Sequence, residues 1–384
     1  MRRVAVIGVG ITKFGKHDRT SAELFAQAAA DAIVDAEIAP SEIQALYYGN
    51  VTGGETERQL HMGPLAATTL GLPSIPTTRF ETACATSHAA FRHAVMEIAS
   101  GVSDIALVGG AERVLNVPTD AATEYFAYCS DATYEQSLGL TFPGVFALIA
   151  RAHMDRYGTT EEQMAHVAVK NHRHGTLNPK AQFQKEISLE TVLRSPYVAD
   201  PLKLYDCCPF TDGGAALVLV SEEVARKSRR PIWVLASAAA SDSMLIGDKR
   251  DLSRVPATER AAATAYRQAG IGPQDVDVVE LHDCFTIAEI VATEGLGLFE
   301  PGVGGLAAEK GWTSLGGKIP VNPSGGLKAK GHPIGATGAA QICEVVTQLR
   351  GEAGPRQVEG ARRGLTHTLG GNTATVLVSL FGRD

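Results

Sequence analysis

Residues 28–43 read AAADAIVDAEIAPSEI, and residues 261–276 repeat their pattern as AAATAYRQAGIGPQDV. The shared alanines, one isoleucine and one proline are each displaced by 233 residues, and the acidic and β-branched pair at 42–43 recurs at 275–276. A chance match between two alanine-rich helices is the alternative. It does not account for the proline or for the acidic pair, so we interpret the two stretches as one structural unit that occurs twice.

Short apolar runs alternate with helical stretches of small residues around the first copy of this unit. Residues 4–9 predict a strand, residues 21–38 predict a helix with Ser21 as its N-cap, and residues 45–48 predict a second strand. Such alternation is typical of layered α/β proteins, in which helices cover a sheet.

A second pair of matching segments supports the repeat. Ala85-Thr86 opens a predicted helix that leads to a strand ending near Gly109-Gly110. In the same way, Ala336-Thr337 opens a predicted helix that leads to a strand ending near Gly370-Gly371.

We therefore predict two similar halves, residues 1–228 and 229–384. The first half includes a more polar loop domain at about 116–192, followed by a strand over 215–220. In a doubled sheet protein of this kind, the site is expected at the seam, where loops from both halves converge at strand ends.

Composition excludes several classes of function. The chain has 384 residues, of which 45% are hydrophobic, and its formal net charge of −7 argues against a nucleic-acid-binding surface. No run of 18 apolar residues is present to span a membrane, and the first residues do not resemble a signal peptide. The six cysteines have no CxxC spacing, so we expect free thiols in a reducing cytoplasm.

The first candidate catalytic residue is Cys84. It stands where a loop enters the helix predicted from residue 85 to about residue 100, and the unpaired N–H groups at a helix start carry partial positive charge. We expect this position to lower the pKa of the thiol and to offer the Cys84 N–H to an oxyanion. The alternative for a single cysteine is a small buried core residue.

The second candidate is His332, in a glycine-dense loop that reads NPSGG over residues 322–326 and GHPIGATG over 331–338. Glycines allow a ligand to approach the backbone closely, which makes Ser324 and Gly325 candidate substrate contacts. Pro333 restricts the chain just after His332, and a rigid histidine at a helix start suits a general base for a thiol. The alternative is a purely structural turn.

Two further strand ends carry candidate residues. His282-Asp283-Cys284-Phe285 follows a strand predicted over 276–281, at a usual ligand position. Its histidine and cysteine lack further ligands at a metal-binding spacing, so we predict no metal. Gly370-Gly371-Asn372 ends another strand and presents N–H groups that an oxyanion or a substrate could use, with a plain hairpin turn as the alternative.

Other reactive residue types predict structural roles. The vicinal cysteines Cys207 and Cys208 are expected to pack rather than react. The histidines of a polar helix predict a solvated face: His166, His172 and His174.

Together these segments resemble the thiolase superfamily, and within it the thiolases related to sterol carrier protein 2. The motifs His-Asp-Cys-Phe, Asn-Pro-Ser-Gly-Gly and Gly-His-Pro-x-Gly-Ala-Thr-Gly carry the resemblance, in order, through nearly the whole chain. The resemblance implies an α/β thiolase fold, in which two pseudo-symmetric βαβαβαββ halves form a five-layered α-β-α-β-α arrangement. It also implies a lipid-metabolism acyltransferase that forms or cleaves a 3-oxoacyl-CoA such as acetoacetyl-CoA, with CoA and acyl-CoA as substrates and no other cofactor.

The resemblance also implies a role for each reactive residue. Cys84 would be the nucleophile that carries the acyl group, and His332 would be its base. In the wider family a cysteine near the C-terminus moves the α-proton, but Thr368 stands at that position here. Cys284 would take over this proton transfer.

The same motifs imply the groups that bind the substrate. One oxyanion hole would be formed by His282 and His332, and the other by the N–H groups of Cys84 and Gly370. Further substrate contacts would come from Ser324, Gly325 and Gly371. The resemblance implies a homodimer or homotetramer and allows a small OB-fold, zinc-ribbon partner protein, with no nucleic acid and no membrane as partners.

Three alternatives stay open at this point. The chain could be a non-catalytic subunit that binds acyl-CoA, an acyltransferase or aldolase that requires the OB-fold partner, or a ketoacyl synthase, although it lacks the second histidine motif usual in that class. The presence of Cys84, Cys284, His282 and His332 together favours thiolase chemistry over retro-aldol cleavage, which needs no acylated cysteine.

Overall fold

The computed structural model describes residues 2–383. Its strands are β1 (Val4–Ile11), β2 (Ala45–Gly49), β3 (Thr77–Phe80), β4 (Ile105–Glu112), β5 (Tyr197–Ala199), β6 (Leu202–Lys203), β7 (Gly213–Ser221), β8 (Ile232–Ser241), β9 (Val278–Glu280), β10 (Arg363–Gly370) and β11 (Thr375–Gly382). Its α-helices are α1 (Ser21–Asp35), α2 (Gly53–Thr56), α3 (Met62–Leu70), α4 (Thr86–Ser100), α5 (Thr119–Ala127), α6 (Phe142–Tyr157), α7 (Glu161–Thr176), α8 (Leu189–Leu193), α9 (Glu222–Ala225), α10 (Pro256–Ala269), α11 (Thr286–Gly295), α12 (Gly304–Glu309) and α13 (Thr337–Arg350).

The two halves of the chain contribute to one nine-stranded mixed sheet. Its strand order is β3-β2-β4-β7-β1-β8-β11-β10-β9, and β5 pairs with β6 in a separate hairpin. The halves join between β1 and β8, where Ala5 pairs with Trp233 and Val6 pairs with Ile232. The strands from the two halves therefore lie on opposite sides of this short junction.

The helices form three layers around the strands. Along β1, Ala5 and Ile7 pack into a core with α1 and α3, whereas Val4 and Val6 face a core shared by α4 and α13. Strands β8 and β11 pack on their other side against α10 and α11. This alternation of side chains follows from the two-residue period of a strand. Helices α4 and α13 pack against strands of both halves, so the strands form two β layers on either side of these helices, in the predicted α-β-α-β-α arrangement.

The internal repeat is confirmed at the level of single elements. Helices α1 and α10 are followed by 3₁₀ turns at Pro40–Glu42 and Pro273–Asp275, which are 233 residues apart, and then by β2 and β9. The predicted N-cap of α1 is wrong by one residue. Thr20 caps the helix, because its side chain accepts the N–H of Glu23 while Glu23 accepts the N–H of Thr20.

The loop domain contributes helices to one side of the seam. Helix α7 packs against α11, α12 and a single π-helical turn at Gly326–Lys330. Among residues 2–383, no helix combines the length and the apolar character that a membrane span requires. The division of the chain at residue 228 stays a prediction.

Candidate active site

Cys84 lies in a tight turn at the start of α4. Thr86 Oγ1 accepts the N–H of Thr82 at 2.9 Å and donates to the carbonyl of Ala83 at 2.6 Å, which closes the turn. Ala83 adopts a positive φ of 50°, a conformation that non-glycine residues seldom take outside such constrained turns. The predicted helix start is therefore confirmed. Cys84 is partly buried and lies two residues before the first residue of α4.

His332 is held in one tautomer by its surroundings. Its Nδ1 lies 2.7 Å from Thr337 Oγ1, and that hydroxyl donates its single hydrogen to the carbonyl of Pro333 at 3.0 Å. Thr337 must therefore accept a hydrogen from Nδ1, which leaves the lone pair on Nε2. Burial lowers the pKa of His332 to about 3, so the ring is neutral and able to accept a proton.

The backbone of His332 is fixed from another element. Its N–H donates to Thr211 Oγ1 at 2.9 Å. Gly331 adopts a φ of 116°, and a Cβ at this position would lie 2.8 Å from the Thr211 side chain. Glycine is required here on both grounds, as the glycine-dense sequence predicts.

His282 is a buried imidazole without a hydrogen-bond partner. It is fully buried, and among the described residues neither ring nitrogen has a donor or an acceptor. Its ring packs edge-on against His332 with centroids 5.0 Å apart, and its pKa is lowered well below the ordinary value by burial and by the neighbouring histidines. Since buried polar groups in native proteins are normally paired, His282 is suited to a substrate or water oxygen.

These three side chains meet at the seam between the two halves. The sulfur of Cys84 and ring nitrogens of His282 and His332 all lie within 4.8 Å of one another. The predicted convergence of loops from both halves is thus present. A thiol, a neutral imidazole base and an unpaired imidazole in this space can together form and stabilise a covalent adduct of a carbonyl group.

The same three atoms are also a donor set that zinc accepts. Histidine ligands of zinc normally donate their second ring N–H to a carboxylate, a carbonyl or a water. His282 makes no such bond within residues 2–383, and the Nδ1 of His332 is bonded to a threonine hydroxyl. The arrangement fits a thiol–imidazole site better than a zinc site, and the expected lack of a metal stays a prediction.

The predicted lowering of the Cys84 pKa is wrong for this resting site. Burial raises the pKa of the Cys84 thiol well above its ordinary value. The N–H groups of Gly371 and of Cys84 itself oppose this effect through hydrogen bonds to the sulfur. The thiol is therefore neutral at rest, and the role of His332 as its base stays a prediction.

Cys284 is held beside the site by a short backbone pairing. Its carbonyl accepts the N–H of Cys208 at 2.9 Å, and Cys207 pairs with Phe285 in an antiparallel bridge. Burial raises the pKa of the Cys284 thiol well above the ordinary value, and the carboxylate of Asp283, when ionised, acts in the same direction. Cys284 is consequently a protonated thiol that can donate its hydrogen.

The glycines after β10 allow the backbone to approach Cys84. A Cβ at Gly370 would lie 2.3 Å from the carbonyl of Thr82, and Gly371 adopts a φ of 60°. The N–H that hydrogen-bonds the Cys84 sulfur belongs to Gly371. The contribution of Gly370 to an oxyanion hole and the contact of Gly371 with substrate stay predictions.

Thr368 belongs to the scaffold in this chain. Its hydroxyl donates to Gln341 Oε1 at 2.6 Å and lies 2.8 Å from Nδ1 of His88. All three side chains are buried, so Thr368 has no free group for proton transfer. Where other family members have a cysteine, this chain has a threonine whose hydroxyl is bonded to Gln341 and His88.

Ser324 is also bonded within the protein. Its hydroxyl donates to Glu280 at 2.7 Å, and its N–H donates to the same carboxylate at 3.0 Å. Gly325 has a φ of 98°, and a Cβ there would lie 2.8 Å from the Cα of Gly175. Contacts of Ser324 and Gly325 with substrate stay predictions.

Glu112 was not identified from the sequence. This buried carboxylate at the end of β4 accepts the N–H groups of Val51, Thr52 and Gly335, so it ties the loop after β2 to the loop of His332. Burial raises its pKa to about 7, against the effect of those donors. Its only sequence signal is an acidic residue at the end of a buried strand.

The helix expected to present a solvated face is instead packed into the core. His172 and His174 on α7 are buried, and burial lowers their pKa values to about 4 and about 3. Lys170 is also buried and pairs with Glu289 at 2.5 Å. The prediction is wrong for these two histidines because α11, α12 and the turn at Gly326–Lys330 pack against α7, whereas His166 is half-buried.

Two family models match nearly the whole chain: "Thiolase, N-terminal domain" over residues 4–223 and "Thiolase C-terminal domain-like" over 238–383. An acetyl-CoA acetyltransferase from Methanothermobacter thermautotrophicus is 48% identical over 387 residues, which covers all of both chains. Sterol carrier protein 2 from Bos taurus is 37% identical, over 99% of this chain and 72% of that protein. The solved structure described as "Ltp2-ChsH2(DUF35) aldolase" has a TM-score of 0.84 and 27% identity, and the match covers 100% of this chain and 98% of that one.

Proposed function

The chain belongs to the thiolase family and is an acyltransferase of that family, and on this premise we propose that it forms or cleaves 3-oxoacyl-CoA esters such as acetoacetyl-CoA through an acyl group on Cys84. The observation that carries the proposal is the meeting of the Cys84 sulfur with ring nitrogens of His282 and His332 within 4.8 Å. The orientation of His332 supports it, because Nε2 holds the lone pair that a thiol requires.

In the cleavage direction, His332 Nε2 takes the proton of Cys84, and the sulfur attacks the 3-oxo carbon. The bond between C2 and C3 then breaks, and its electron pair leaves with the acetyl-CoA enolate. Cys284 donates its thiol hydrogen to C2, which releases acetyl-CoA and leaves the acyl group on Cys84.

The second half of the cycle restores both cysteines. The incoming CoA thiol gives its proton to the Cys284 thiolate and attacks the acyl carbon of the thioester. Cys84 leaves as a thiolate and regains its proton from His332. Every proton is thereby returned, so the proposed cycle needs no metal and no redox cofactor.

Two oxygen atoms gain negative charge during this cycle, and each requires hydrogen-bond donors. We assign the first of these, the thioester oxygen of the acetyl-CoA enolate, to His282 and His332, because His282 is the buried imidazole without a partner in the described structure. The second is assigned to the N–H groups of Cys84 and Gly370, at the start of α4 and the end of β10.

A cavity of about 290 Å³ adjoins the Cys84 loop. Thr82, Ala83 and Gly371 line it, and the N–H of Gly371 reaches the Cys84 sulfur. Glu55 and Glu81 lie in the same lining, and their carboxylates disfavour a long alkyl chain. An acetoacetyl group is therefore the substrate that we propose first.

We also propose that the protein is a homodimer that pairs through β3. This strand lies at one end of the nine-stranded sheet and pairs with β2 alone among residues 2–383. Its other edge carries backbone donors and acceptors that a second copy can pair. A tetramer, a cytoplasmic location and a small OB-fold partner stay predictions. The structural relative whose description includes a DUF35 component motivates the last of these.

The test is thiolysis of acetoacetyl-CoA by CoA with wild-type protein, Cys84→Ala and Cys343→Ala. Cys343 is a buried core thiol on α13, so Cys343→Ala controls for the loss of a sulfur atom. We expect turnover to vanish in Cys84→Ala and to persist in the control. Turnover by Cys84→Ala would refute the covalent mechanism.

Intact-mass measurement separates the remaining outcomes of this experiment. An acylated Cys84 without turnover would favour an acyltransferase that needs a partner. Neither acylation nor turnover would favour a subunit that only binds acyl-CoA. Light scattering at several concentrations tests the dimer, and a monomer at all of them would refute pairing through β3.

A further inference from the structure

Asp283 lies between His282 and Cys284 and has no role in the steps above. Its carboxylate is fully buried and accepts three hydrogen bonds, from the N–H of Leu327 at 2.7 Å, from the N–H of Lys328 at 3.3 Å and from Nδ2 of Asn171 at 2.7 Å. These donors belong to the turn at Gly326–Lys330 and to α7. The carboxylate therefore joins the Cys284 segment to two elements distant in sequence.

The glycine at 326 shows how closely the turn is packed on this carboxylate. A Cβ at Gly326 would lie 2.3 Å from Asp283 Oδ2, so only glycine permits the observed approach. Backbone N–H groups in the turn then reach both carboxylate oxygens. Both oxygens of Asp283 accept a hydrogen bond from the turn. An asparagine here would place its NH2 group, which is a donor, against one of these N–H groups.

The charges around Asp283 are also buried. Glu289 and Lys170 face it from α11 and α7 and pair with each other at 2.5 Å, while Lys328 faces it from the turn. Burial raises the pKa of Asp283 to about 7, and the charge on Glu289 adds to this effect. When Asp283 is ionised, its charge raises the pKa of the adjacent Cys284 thiol and so favours the protonated form.

We propose that Asp283 is the positioning residue for proton transfer by Cys284, whereas acylation of Cys84 does not depend on it. The inference rests on the proposed function, because it assigns proton transfer to Cys284. Cys84 and His332 have their own supports: Thr86 closes the Cys84 turn, and Thr211 and Thr337 hold His332. Loss of Asp283 should therefore impair one half of the chemistry.

Two assays separate these halves. Exchange of the acetyl group between acetyl-CoA and labelled CoA breaks no carbon–carbon bond. Cys284 enters it only as the proton partner of the CoA thiol, and solvent water can also exchange that proton, whereas a proton on carbon requires a positioned acid–base group. Condensation of two acetyl-CoA molecules also requires a proton carrier at C2. For Asp283→Asn we expect exchange within about twofold of wild type and condensation at least about tenfold slower, since general acid–base groups typically contribute more than this.

Asp206→Asn is the matched control. Asp206 is a buried carboxylate that contacts the start of α11 and accepts from Thr286 Oγ1 at 2.7 Å. We expect this variant to change both rates by the same factor. Asn171→Ala leaves the carboxylate of Asp283 in place but removes the amide that donates both to Asp283 and, at 2.9 Å, to Glu289. It should produce a smaller but equally selective loss of condensation.

Equal losses of exchange and condensation in Asp283→Asn and Asn171→Ala would overturn the proposal, as would unchanged condensation. If Asp283→Asn does not fold, Asn171→Ala decides alone. Cys284→Ala tests the proposed function separately. Full condensation in Cys284→Ala would reject Cys284 as the proton carrier, whereas loss there with full condensation in Asp283→Asn would reject only the role of Asp283.

Discussion

Replacing Thr337 with valine tests whether this hydroxyl sets the tautomer of His332. Valine has nearly the same shape but removes two buried hydrogen bonds, one of 2.7 Å to His332 Nδ1 and one of 3.0 Å to the carbonyl of Pro333. A neutral hydrogen bond contributes about 0.5–1.5 kcal/mol net, so the total loss is about 1–3 kcal/mol. Without this acceptor, the ring hydrogen is free to move to Nε2, which then cannot take the proton of Cys84.

The bond to His332 accounts for about 0.5–1.5 kcal/mol of this loss, and 1.36 kcal/mol corresponds to a factor of ten, so we expect kcat/KM of thiolysis to fall by about two- to thirteenfold in Thr337→Val. Alkylation of Cys84 by iodoacetamide, followed by intact mass, should slow by a similar factor. Thr337→Ser is the matched control, because it keeps the hydroxyl and should retain most of both rates. Wild-type rates in Thr337→Val, or equal losses in the serine and valine variants, would refute the assignment of the tautomer.

Three further predictions concern packing, thiol reactivity and pH. Gly370→Ala should lower the melting temperature and abolish turnover, because its Cβ would lie 2.3 Å from the carbonyl of Thr82; a wild-type melting curve would contradict this. Iodoacetamide should label Cys84 before the other cysteines, and His332→Gln should remove that priority; first labelling of Cys129 would count against the site. Acidification below about pH 6.5 should lower the melting temperature, because four buried histidines with folded pKa values of about 3 take up protons only on unfolding. Two carboxyls with folded pKa values of about 7 have the opposite effect, but the sum of their pKa shifts is smaller than that of the histidines. A rise in melting temperature from pH 7 to pH 5 would show that the carboxyls dominate. The groups involved are His88, His174, His332, His367, Glu112 and Asp283.

The fold was predictable because its information is local and appears twice. The alanine spacing of α1 and α10, the proline that starts each 3₁₀ turn and the apolar runs of β2 and β9 each act within a few residues. Repetition at a constant offset then implies two similar halves, and the loops at their strand ends meet at the seam. Errors arose where a distant element changed the surroundings, as on α7.

The identities of the reactive residues were likewise accessible from short motifs, because glycines, a proline and a helix start restrict the backbone locally. Cys84, His282 and His332 do meet in the structure, as the resemblance to thiolases implies. No pattern of sequence spacing indicated Glu112, whose partners lie more than fifty residues away along the chain.

The sequence by itself determined a doubled α/β chain with a cysteine, a base and a second histidine–cysteine pair at its strand ends. Only the tertiary structure decided the chemical state of these groups. Burial by distant segments raises the pKa of Cys84, although its place at a helix start acts in the opposite direction. The tautomer of His332 and the three donors to Asp283 are decided in the same way. Desolvation and hydrogen bonding act through space, so their balance depends on which segments pack together and not on residue order.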